Sequence, residues 1–235
     1  MKRFYKLVSV DAVRNGFEIQ LDGRNIKTPM KNILSAPSRK LADAIMAEWA
    51  AQDKEILPDT MPLTQILSTR IDRVSNERHA MEPIVLAYLD TDLVCYQADK
   101  PDDLSARQNS MWGGSLNWFA KKYGGDLLVT TGLAALKQPQ NLHDAVKENV
   151  LALDNDYFTI LQLVCAMSGS LVLALAFIHG EVDAQHVFDA TRIEEQFKSE
   201  LYDAEKYGPD PAQDKKDKAM LRDLIAAEQY LALIA

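Results

Sequence analysis

The sequence predicts an α+β fold, in which a small β-rich N-terminal domain with hairpins is followed by a larger, mainly α-helical C-terminal domain. One observation behind this prediction is the alternation of apolar and polar side chains over residues 16–21, directly before the turn dipeptide Asp22-Gly23. The other is the helical spacing of apolar residues, which dominates the second part of the chain. We therefore expect two domains, residues 1–76 and residues 77–235.

The N-terminal domain should contain short antiparallel strands. Residues 4–10 fit a first strand, and residues 16–21 and 24–28 fit a hairpin, because the positive φ angles of a type I′ turn suit Asp and Gly. Pro29 lacks the N–H that a strand ladder needs, so the returning strand should end there. Residues 32–34 are a candidate for a further short strand.

Two helices should complete this domain. Ser38 is placed to cap the first, and Pro62 fits the first turn of the second, where a missing N–H does no harm. Trp49 is expected to be a core aromatic residue, whereas Arg24, beside the tight turn, should be exposed. The expected apolar stripes are Leu41, Ile45 and Trp49 in the first helix and Leu63, Ile66, Leu67, Ile71 and Val74 in the second.

The C-terminal domain should consist of helices with one short strand. Gly113-Gly114 is expected to interrupt a helix and Gly124-Gly125 to stop it. Residues 127–131 are rich enough in β-branched residues for a strand, and residues 92–97 fit either a helix end or a strand. The predicted helices cover residues 83–89, 102–123, 141–153, 157–178, 183–207 and 214–235.

The apolar run at residues 157–178 has nearly the length of a membrane span. Gln162 and Ser168-Gly169-Ser170 interrupt it and basic flanks are absent, so we expect a central helix buried on all sides rather than membrane insertion. Gly169 would then allow a neighbouring helix to approach closely. Asp183 should cap the long helix that follows, and the Gly- and Pro-rich segment 208–211 should end it.

The composition is that of an ordinary globular chain, with 47% hydrophobic and 26% charged residues among 235. A net charge of −8 without a concentrated basic patch disfavours nucleic acid as a partner. Cys95 and Cys165 are expected to be buried and unpaired in a reducing compartment. The first strand pattern begins at Phe4 and leaves no room for a leader, which favours the bacterial cytoplasm, or the mitochondrial matrix after removal of a presequence.

The sequence lacks the usual motifs of catalysis, metal binding and cofactor binding. Ser168-Gly169-Ser170 does not have the preceding glycine of a nucleophile elbow, and the glycine pairs have neither the P-loop nor the dinucleotide-binding pattern. No paired-cysteine zinc spacing is present, and the histidines are scattered. We therefore expect no metal, no cofactor and no enzymatic activity. The four histidines are His79, His143, His179 and His186.

Several short motifs occur in an order that is more specific than any one of them. In the N-terminal part they are Arg3-Phe4-Tyr5-Lys6, Leu21-Asp22-Gly23-Arg24, Lys27-Thr28-Pro29, Glu48-Trp49 with Gln52, Met61-Pro62 with Thr64, and Ile71-Asp72-Arg73-Val74. Later ones are Gln108 with Trp112, Gly169-Ser170-Leu171 and Glu194-Glu195-Gln196-Phe197. Taken in this order, the motifs resemble those of the ATP synthase F1 assembly chaperones, which hold the unassembled alpha subunit.

This resemblance implies a molecular chaperone, and not an enzyme, that binds the free F1 alpha subunit and shields its beta-contacting surface until the hexamer forms. Members of the family carry an acidic pair in the C-terminal helical part, where an acidic residue is implicated in chaperone function. Glu194, with Glu195 beside it, matches that position. The pair would meet Arg or Lys on the client, next to an apolar strip. We expect a free monomer. The strip consists of Val187, Ala190, Phe197 and Leu201.

Two alternatives stay open. Glu194 and Glu195 also fit a solvated acidic helix face with no partner. The alternative function is an enzyme of unknown class, with Asp90, Asp92 or Arg70 in a polar cleft between the two domains.

Overall fold

The computed structural model describes residues 1–201 and 211–235, and its N-terminal part contains a small antiparallel sheet. The second strand lies at the centre and pairs with the other three. Asp22 and Gly23 have φ angles of 47° and 77°, so the predicted turn is confirmed. Ile19 and Leu21 face the core as the alternation predicted. The strands are β1 (Val8–Val13), β2 (Gly16–Leu21), β3 (Arg24–Asn25) and β4 (Ser35–Ala36).

The other strand boundaries differ from the prediction. The first strand covers Val8–Val13 rather than residues 4–10, because the Asp22 carboxylate accepts hydrogen bonds from the backbone N–H groups of Lys6 (3.1 Å) and Leu7 (2.9 Å). These donors are therefore not available to a strand ladder. The returning strand ends at Asn25, and residues 27 and 33 form an isolated bridge instead of the strands expected there.

Three helices follow the sheet: α1 (Arg39–Ala50), α2 (Pro62–Thr69) and α3 (Ser75–Ala87). The Ser38 hydroxyl accepts a hydrogen bond from Leu41 N at 3.0 Å, and Pro62 opens α2, so both predicted helix starts are confirmed. The five-residue π-helical turn Arg70–Val74 joins α2 to α3. The separate helix predicted at residues 83–89 is therefore wrong, since those residues belong to the end of α3 and the 3-10 turn after it.

The second part of the chain is helical, and its first helix runs without interruption through Gly113-Gly114, contrary to the prediction. This helix is held on both sides of the glycines, because Trp112 and Phe119 are both buried. Gly124 ends it in the left-handed conformation, with φ of 78°. The helices are α4 (Asp102–Tyr123), α5 (Gln140–Ala152), α6 (Asn155–Ser168), α7 (Leu171–Ile178), α8 (Ala184–Leu201) and α9 (Pro211–Ile234).

The strand predicted at residues 127–131 is wrong. Gln138 takes the place of a strand partner, because its side chain accepts from Leu128 N at 2.8 Å and donates to Leu128 O at 3.0 Å. Within this segment, Thr130 forms an isolated bridge with Tyr96. Residues 92–97, for which helix and strand were both open, contain the 3-10 turn Leu93–Cys95.

The apolar run at residues 157–178 is two helices and not one, and only the second is buried on all sides as predicted. In α6, Ala166 is exposed and Gln162 and Leu163 are half-buried. Gly169 ends α6 with φ of 68°, and the Ser170 hydroxyl then caps α7. A Cβ on Gly169 would meet no atom of the described residues within 4 Å, so this glycine provides a backbone turn rather than close helix packing. None of the described helices is both long and apolar enough to cross a membrane.

The last two helices pack against each other, and α9 also packs against α1 and α2 of the N-terminal part. Asp183 caps α8, since its carboxylate accepts from His186 N at 2.7 Å. The predicted end of this helix at residue 207, and most of the predicted break at 208–211, lie outside the described residues. The final helix is described from Pro211, three residues before the predicted start at 214.

The fold class is confirmed: a small antiparallel sheet at the N-terminus precedes a mostly helical remainder. The buried apolar residues form a core cluster that extends from Ile19 in the sheet to Leu224 in α9. Ser38 donates to Leu233 O at 2.5 Å, which ties α1 to the last helix. The division at residues 76 and 77 stays a prediction.

Candidate functional site

The predicted client-binding pair lies on α8, where Glu194 is partly exposed and Glu195 is exposed. Gln108 of α4 holds Glu194 from the protein interior, because its Nε2 donates to the carboxylate at 3.1 Å. Gln108 is only 1% exposed, and its Oε1 accepts from Ala98 N at 2.7 Å. A buried amide therefore fixes one oxygen of Glu194 and leaves the other near solvent, 4.0 Å from Lys198 Nζ.

Glu195 has a different environment. Its carboxylate lies 3.4 Å from a terminal guanidinium nitrogen of Arg192, one turn earlier on the same helix. Arg192 also contacts Asp217 of α9, with 3.1 Å between Nε and the carboxylate. Arg192 is thus shared between two carboxylates, and the exposed Glu195 holds it only loosely. Surface pairs of this kind contribute little to stability.

A third carboxylate continues this surface. Glu200 forms a two-pronged ion pair with Arg107 of α4, with distances of 2.8 and 2.9 Å. Hydrogen bonding to Arg107 holds the pKa of Glu200 below its usual value, and the same contact raises the pKa of Arg107. The guanidinium also lies over the Phe197 ring, 5.2 Å from its centre. We call Glu194, Glu195 and Glu200 the acidic surface.

The apolar strip expected beside the acidic pair belongs mostly to the core. Val187, Ala190 and Phe197 are buried, and Trp112 donates from its indole N–H to Ala190 O at 3.0 Å. Leu201, with 64% of its surface exposed, is the member of the strip that a partner can reach. The acidic surface therefore offers charge to a client and little apolar area.

A second candidate site is a mainly apolar groove of about 580 Å³ beside the sheet. Residues 26–30 form one wall, Trp49 of α1 forms another, and the face of α2 and its following turn from Met61 to Arg73 forms the third. We call this cavity the N-terminal groove. The indole Nε1 of Trp49 is buried without an acceptor among the described residues.

Two carboxylates, the buried Asp72 and the half-buried Glu48, hold the walls of the N-terminal groove together. Asp72 accepts from Thr28 Oγ1 at 2.5 Å, Asn32 Nδ2 at 2.9 Å and Met30 N at 3.0 Å. Burial opposes its ionisation, but these hydrogen bonds together keep the pKa of Asp72 below its usual value. On the opposite side, Glu48 of α1 accepts from the backbone N–H groups of Leu63 (2.7 Å) and Thr64 (2.8 Å) in the first turn of α2.

The residues of the enzymatic alternative are each engaged in separate contacts. Asp90 lies 2.8 Å from His143 Nε2, and Arg70 lies 3.3 Å from Asp156. Asp92 is fully buried, and burial raises its pKa to about 6 although the Ser170 hydroxyl and backbone N–H groups donate to it. None of the three lines the N-terminal groove.

Other reactive groups do not assemble into a site in the described part of the chain. No group of three His, Cys, Asp or Glu side chains among residues 1–201 and 211–235 is arranged to hold a metal ion. Cys95 and Cys165 are buried and unpaired, as predicted. Burial, with a contribution from Asp92, raises the pKa of the Cys95 thiol to about 12, so this thiol does not ionise at neutral pH.

The small antiparallel sheet and the helical C-terminal part thus carry two candidate binding surfaces, an acidic one on α8 and a mainly apolar groove beside the sheet. Comparison with known families defines the protein further: the model of the ATP12 chaperone protein family matches residues 2–120. The chain belongs to this family of chaperones.

Solved structures and a curated relative agree. The crystal structure of Atp12 from Paracoccus denitrificans is 30% identical, with a TM-score of 0.88 over 100% of this chain and 98% of that one. The Atu1473 protein of Agrobacterium tumefaciens is 31% identical, with a TM-score of 0.89 over 100% of this chain and 86% of that one. The mitochondrial protein atp12 of Schizosaccharomyces pombe is 23% identical over 210 residues, which are 84% of this chain and 72% of that protein.

The sequence predicts Glu194 and Glu195 as client-binding residues, and that role stays a prediction. Neither the residues that position this pair nor the N-terminal groove were predicted. Gln108 appeared only as a motif residue, and nothing in the local pattern shows that it reaches a helix 86 positions later. The sequence did contain an indication of the groove, in the ordered N-terminal motifs. The walls of the groove contain Lys27-Thr28-Pro29, Trp49, Met61 and Asp72-Arg73, which are parts of these motifs.

Proposed function

We propose that the protein is an assembly chaperone for the F1 sector of ATP synthase. It binds the free alpha subunit and covers the surface that later contacts beta, until the hexamer forms. The observation that carries this proposal is membership of the ATP12 chaperone family, with a structural likeness that covers the whole chain. The ordered motifs from Arg3 to Phe197 support the same assignment.

The physical reason for such a chaperone lies in the client. A subunit interface that is permanent in the finished complex is large and apolar, so it promotes aggregation when it is exposed alone. A chaperone that covers this interface needs no cofactor and no catalysis. Release follows when beta competes for the same surface, because the partner that binds more tightly displaces the weaker one by mass action.

Glu194 and Glu195 are proposed to contact basic residues of the client. Gln108 supports this role, because it holds the Glu194 carboxylate at the surface at 3.1 Å and limits the side-chain freedom that would be lost on binding. Their moderate exposure, 41% and 51% of the side chains, leaves oxygens free for Arg or Lys of the client. The contact would add specificity and speed of association more than affinity.

We place the protein in the bacterial cytoplasm, or in the mitochondrial matrix if it is organellar. The relatives support this, since one is named as mitochondrial and two come from bacteria. We propose that it acts as a free monomer before it meets alpha, without nucleic acid and without membrane insertion.

Co-expression with the F1 alpha subunit of the same organism tests the proposal. A tagged form of this chain should retain alpha on an affinity column, and soluble alpha should increase when the chain is present. No complex, together with unchanged alpha solubility, would overturn the function.

Glu194→Lys tests the acidic surface within the same experiment. We expect alpha binding to fall about tenfold, near 1.4 kcal/mol, because a favourable charge contact becomes a repulsive one. Glu148→Lys is the matched control, since Glu148 is an exposed glutamate on α5 and the charge change is identical. Equal losses for the two variants would show that only net charge matters.

A further inference from the structure

The N-terminal groove has the properties of an unoccupied protein-binding site. Its floor is apolar, with Ile26, Leu34, Ile56 and Met61 buried at its base. Met30 stands on one wall with 61% of its surface exposed. Met30 and the apolar floor are adjacent, and contiguous apolar surface, unlike a single exposed apolar side chain, marks binding sites on soluble proteins. Methionine also adapts its shape to different apolar partners.

The charged side chains of the N-terminal groove that a partner can reach are positive. Lys27 is exposed and forms no ion pair with any residue that the structure describes. Arg73 is exposed as well and lies 3.8 Å from Glu77, a distance too long for a strong pair. Asp72 is the only acidic lining residue in the described chain, and three donors already occupy its oxygens. The groove therefore presents cations in a protein whose net charge is −8.

The walls are also fixed before any partner arrives. Asp72 ties the loop that carries Lys27 and Met30 to the turn after α2, and Glu48 ties α1 to the start of α2. A preformed groove loses little conformational freedom on binding, which favours affinity.

We infer that the N-terminal groove binds a short apolar segment of a partner protein that carries acidic residues beside the apolar ones. The apolar side chains lie on the floor against Met30 and Met61, and the acidic residues meet Lys27 and Arg73. We assign the segment to the alpha subunit, and this assignment alone rests on the proposed function. The client is then held at two places of opposite charge.

A labelled peptide tests the inference without the alpha subunit. The probe is a fluorescein-labelled nine-residue peptide of alternating leucine or phenylalanine and aspartate, and its partner probe has lysine in place of aspartate. We expect the intact protein to bind the aspartate probe in fluorescence anisotropy at least tenfold more tightly than the lysine probe. Absence of binding, or equal binding of the two probes, would overturn the inference.

Variants then locate the binding. Met30→Asp and the double variant Lys27→Glu with Arg73→Glu should each weaken binding of the aspartate probe at least tenfold, because all three side chains are exposed in the groove. Ile84→Asp and Lys121→Glu are the controls, as exposed residues of the same types on α3 and α4, and they should leave binding unchanged. Unchanged binding by the groove variants, or self-association in ultracentrifugation that only those variants abolish, would overturn the inference.

The two proposals fail in different ways. If the protein retains alpha and the groove variants retain it equally well, the function stands and the groove contact falls. If the protein binds the aspartate probe through the groove and does not retain alpha, the groove stands as a peptide site and its assignment to alpha falls.

Discussion

The N-terminal groove and the acidic surface share one construction and differ in what they offer. In each, a buried polar side chain holds exposed ones: Asp72 holds the loop that carries Lys27 and Met30, and Gln108 holds Glu194. The groove combines cations with an open apolar floor. The acidic surface has carboxylates, and its neighbouring apolar residues are in the core except for Leu201.

From this difference we propose different tasks for the two surfaces. Burial of apolar area is the main source of affinity between proteins, so the groove is suited to hold a client segment. Exposed carboxylates act over a longer range and mainly set the orientation and rate of encounter. High salt should therefore weaken the contribution of the acidic surface more than that of the groove.

Removing the support of the groove should have the largest effect. In Asp72→Ala, three donors lose their acceptor, and we expect the free energy of unfolding to fall by about 3 to 5 kcal/mol. Urea titration at neutral pH measures this, with Asp11→Ala on the exposed part of β1 as the control. A loss below about 1 kcal/mol would contradict the role of Asp72 as the support of the groove.

The pH dependence of stability should separate Asp72 from Asp92. The pKa of Asp72 is lowered in the folded chain, so its contribution is present above the unfolded pKa and is lost as acid protonates the folded form. The pKa of Asp92 is raised to about 6, so the folded chain holds this proton more tightly than the unfolded chain does. Stability through Asp92 therefore increases as the pH falls from 7 to 5, by about 1 kcal/mol.

Asp92→Asn tests whether this carboxyl group causes the pH dependence. The variant has no titrating group at this position, so its urea midpoint should gain less between pH 7 and pH 5 than that of the unchanged protein. Equal pH slopes for the two proteins would show that Asp92 does not titrate in this range.

Removing the support of the acidic surface should have a smaller effect. We expect Gln108→Ala to lower the free energy of unfolding by about 1 to 2 kcal/mol, because the half-buried Ala98 N–H loses its acceptor. Alpha binding should fall several-fold, less than in Glu194→Lys, since the carboxylate remains but moves more freely. Gln108→Ala combined with Glu194→Lys should be no weaker in binding than Glu194→Lys alone. Additive losses would mean that Gln108 does not act through Glu194.

The smallest effect is expected at Arg24, which lies outside both surfaces. It is exposed, as predicted, and pairs with no acidic residue among those described. Arg24→Ala should change the free energy of unfolding and alpha binding by less than about 0.5 kcal/mol. A larger loss of binding would add a third contact to the two proposed here.

Local signals in the sequence predict much of this fold. The alternation in β2, the Asp22-Gly23 turn, the Ser38 cap and Pro62 at the start of α2 act within a few residues, and each was predicted correctly. The wrong predictions have long-range causes. Gln138 replaces the strand at residues 127–131, and tertiary packing keeps α4 continuous through its glycine pair.

The candidate sites follow the same rule. Exposed glutamates in a helix are visible in a sequence, but the contact between Gln108 and Glu194 spans 86 positions. The groove brings together residues 26–30 and Asp72, whose buried carboxylate accepts from Met30 N and Thr28 Oγ1 across more than 40 positions. The periodicity of apolar residues reports only local structure, so it does not show such long-range contacts. The ordered motifs indicated them indirectly, because several of these motifs line the groove.

Photo-crosslinking to the alpha subunit tests most directly whether the client is held at both surfaces. A photoreactive amino acid is placed at position 30 in the groove, at position 195 on the acidic surface and, as a control, at position 84 on α3. The account predicts crosslinks to alpha from positions 30 and 195, at different sites of alpha, and none from position 84. Crosslinks from neither 30 nor 195, in a sample that retains alpha on the affinity column, would contradict it.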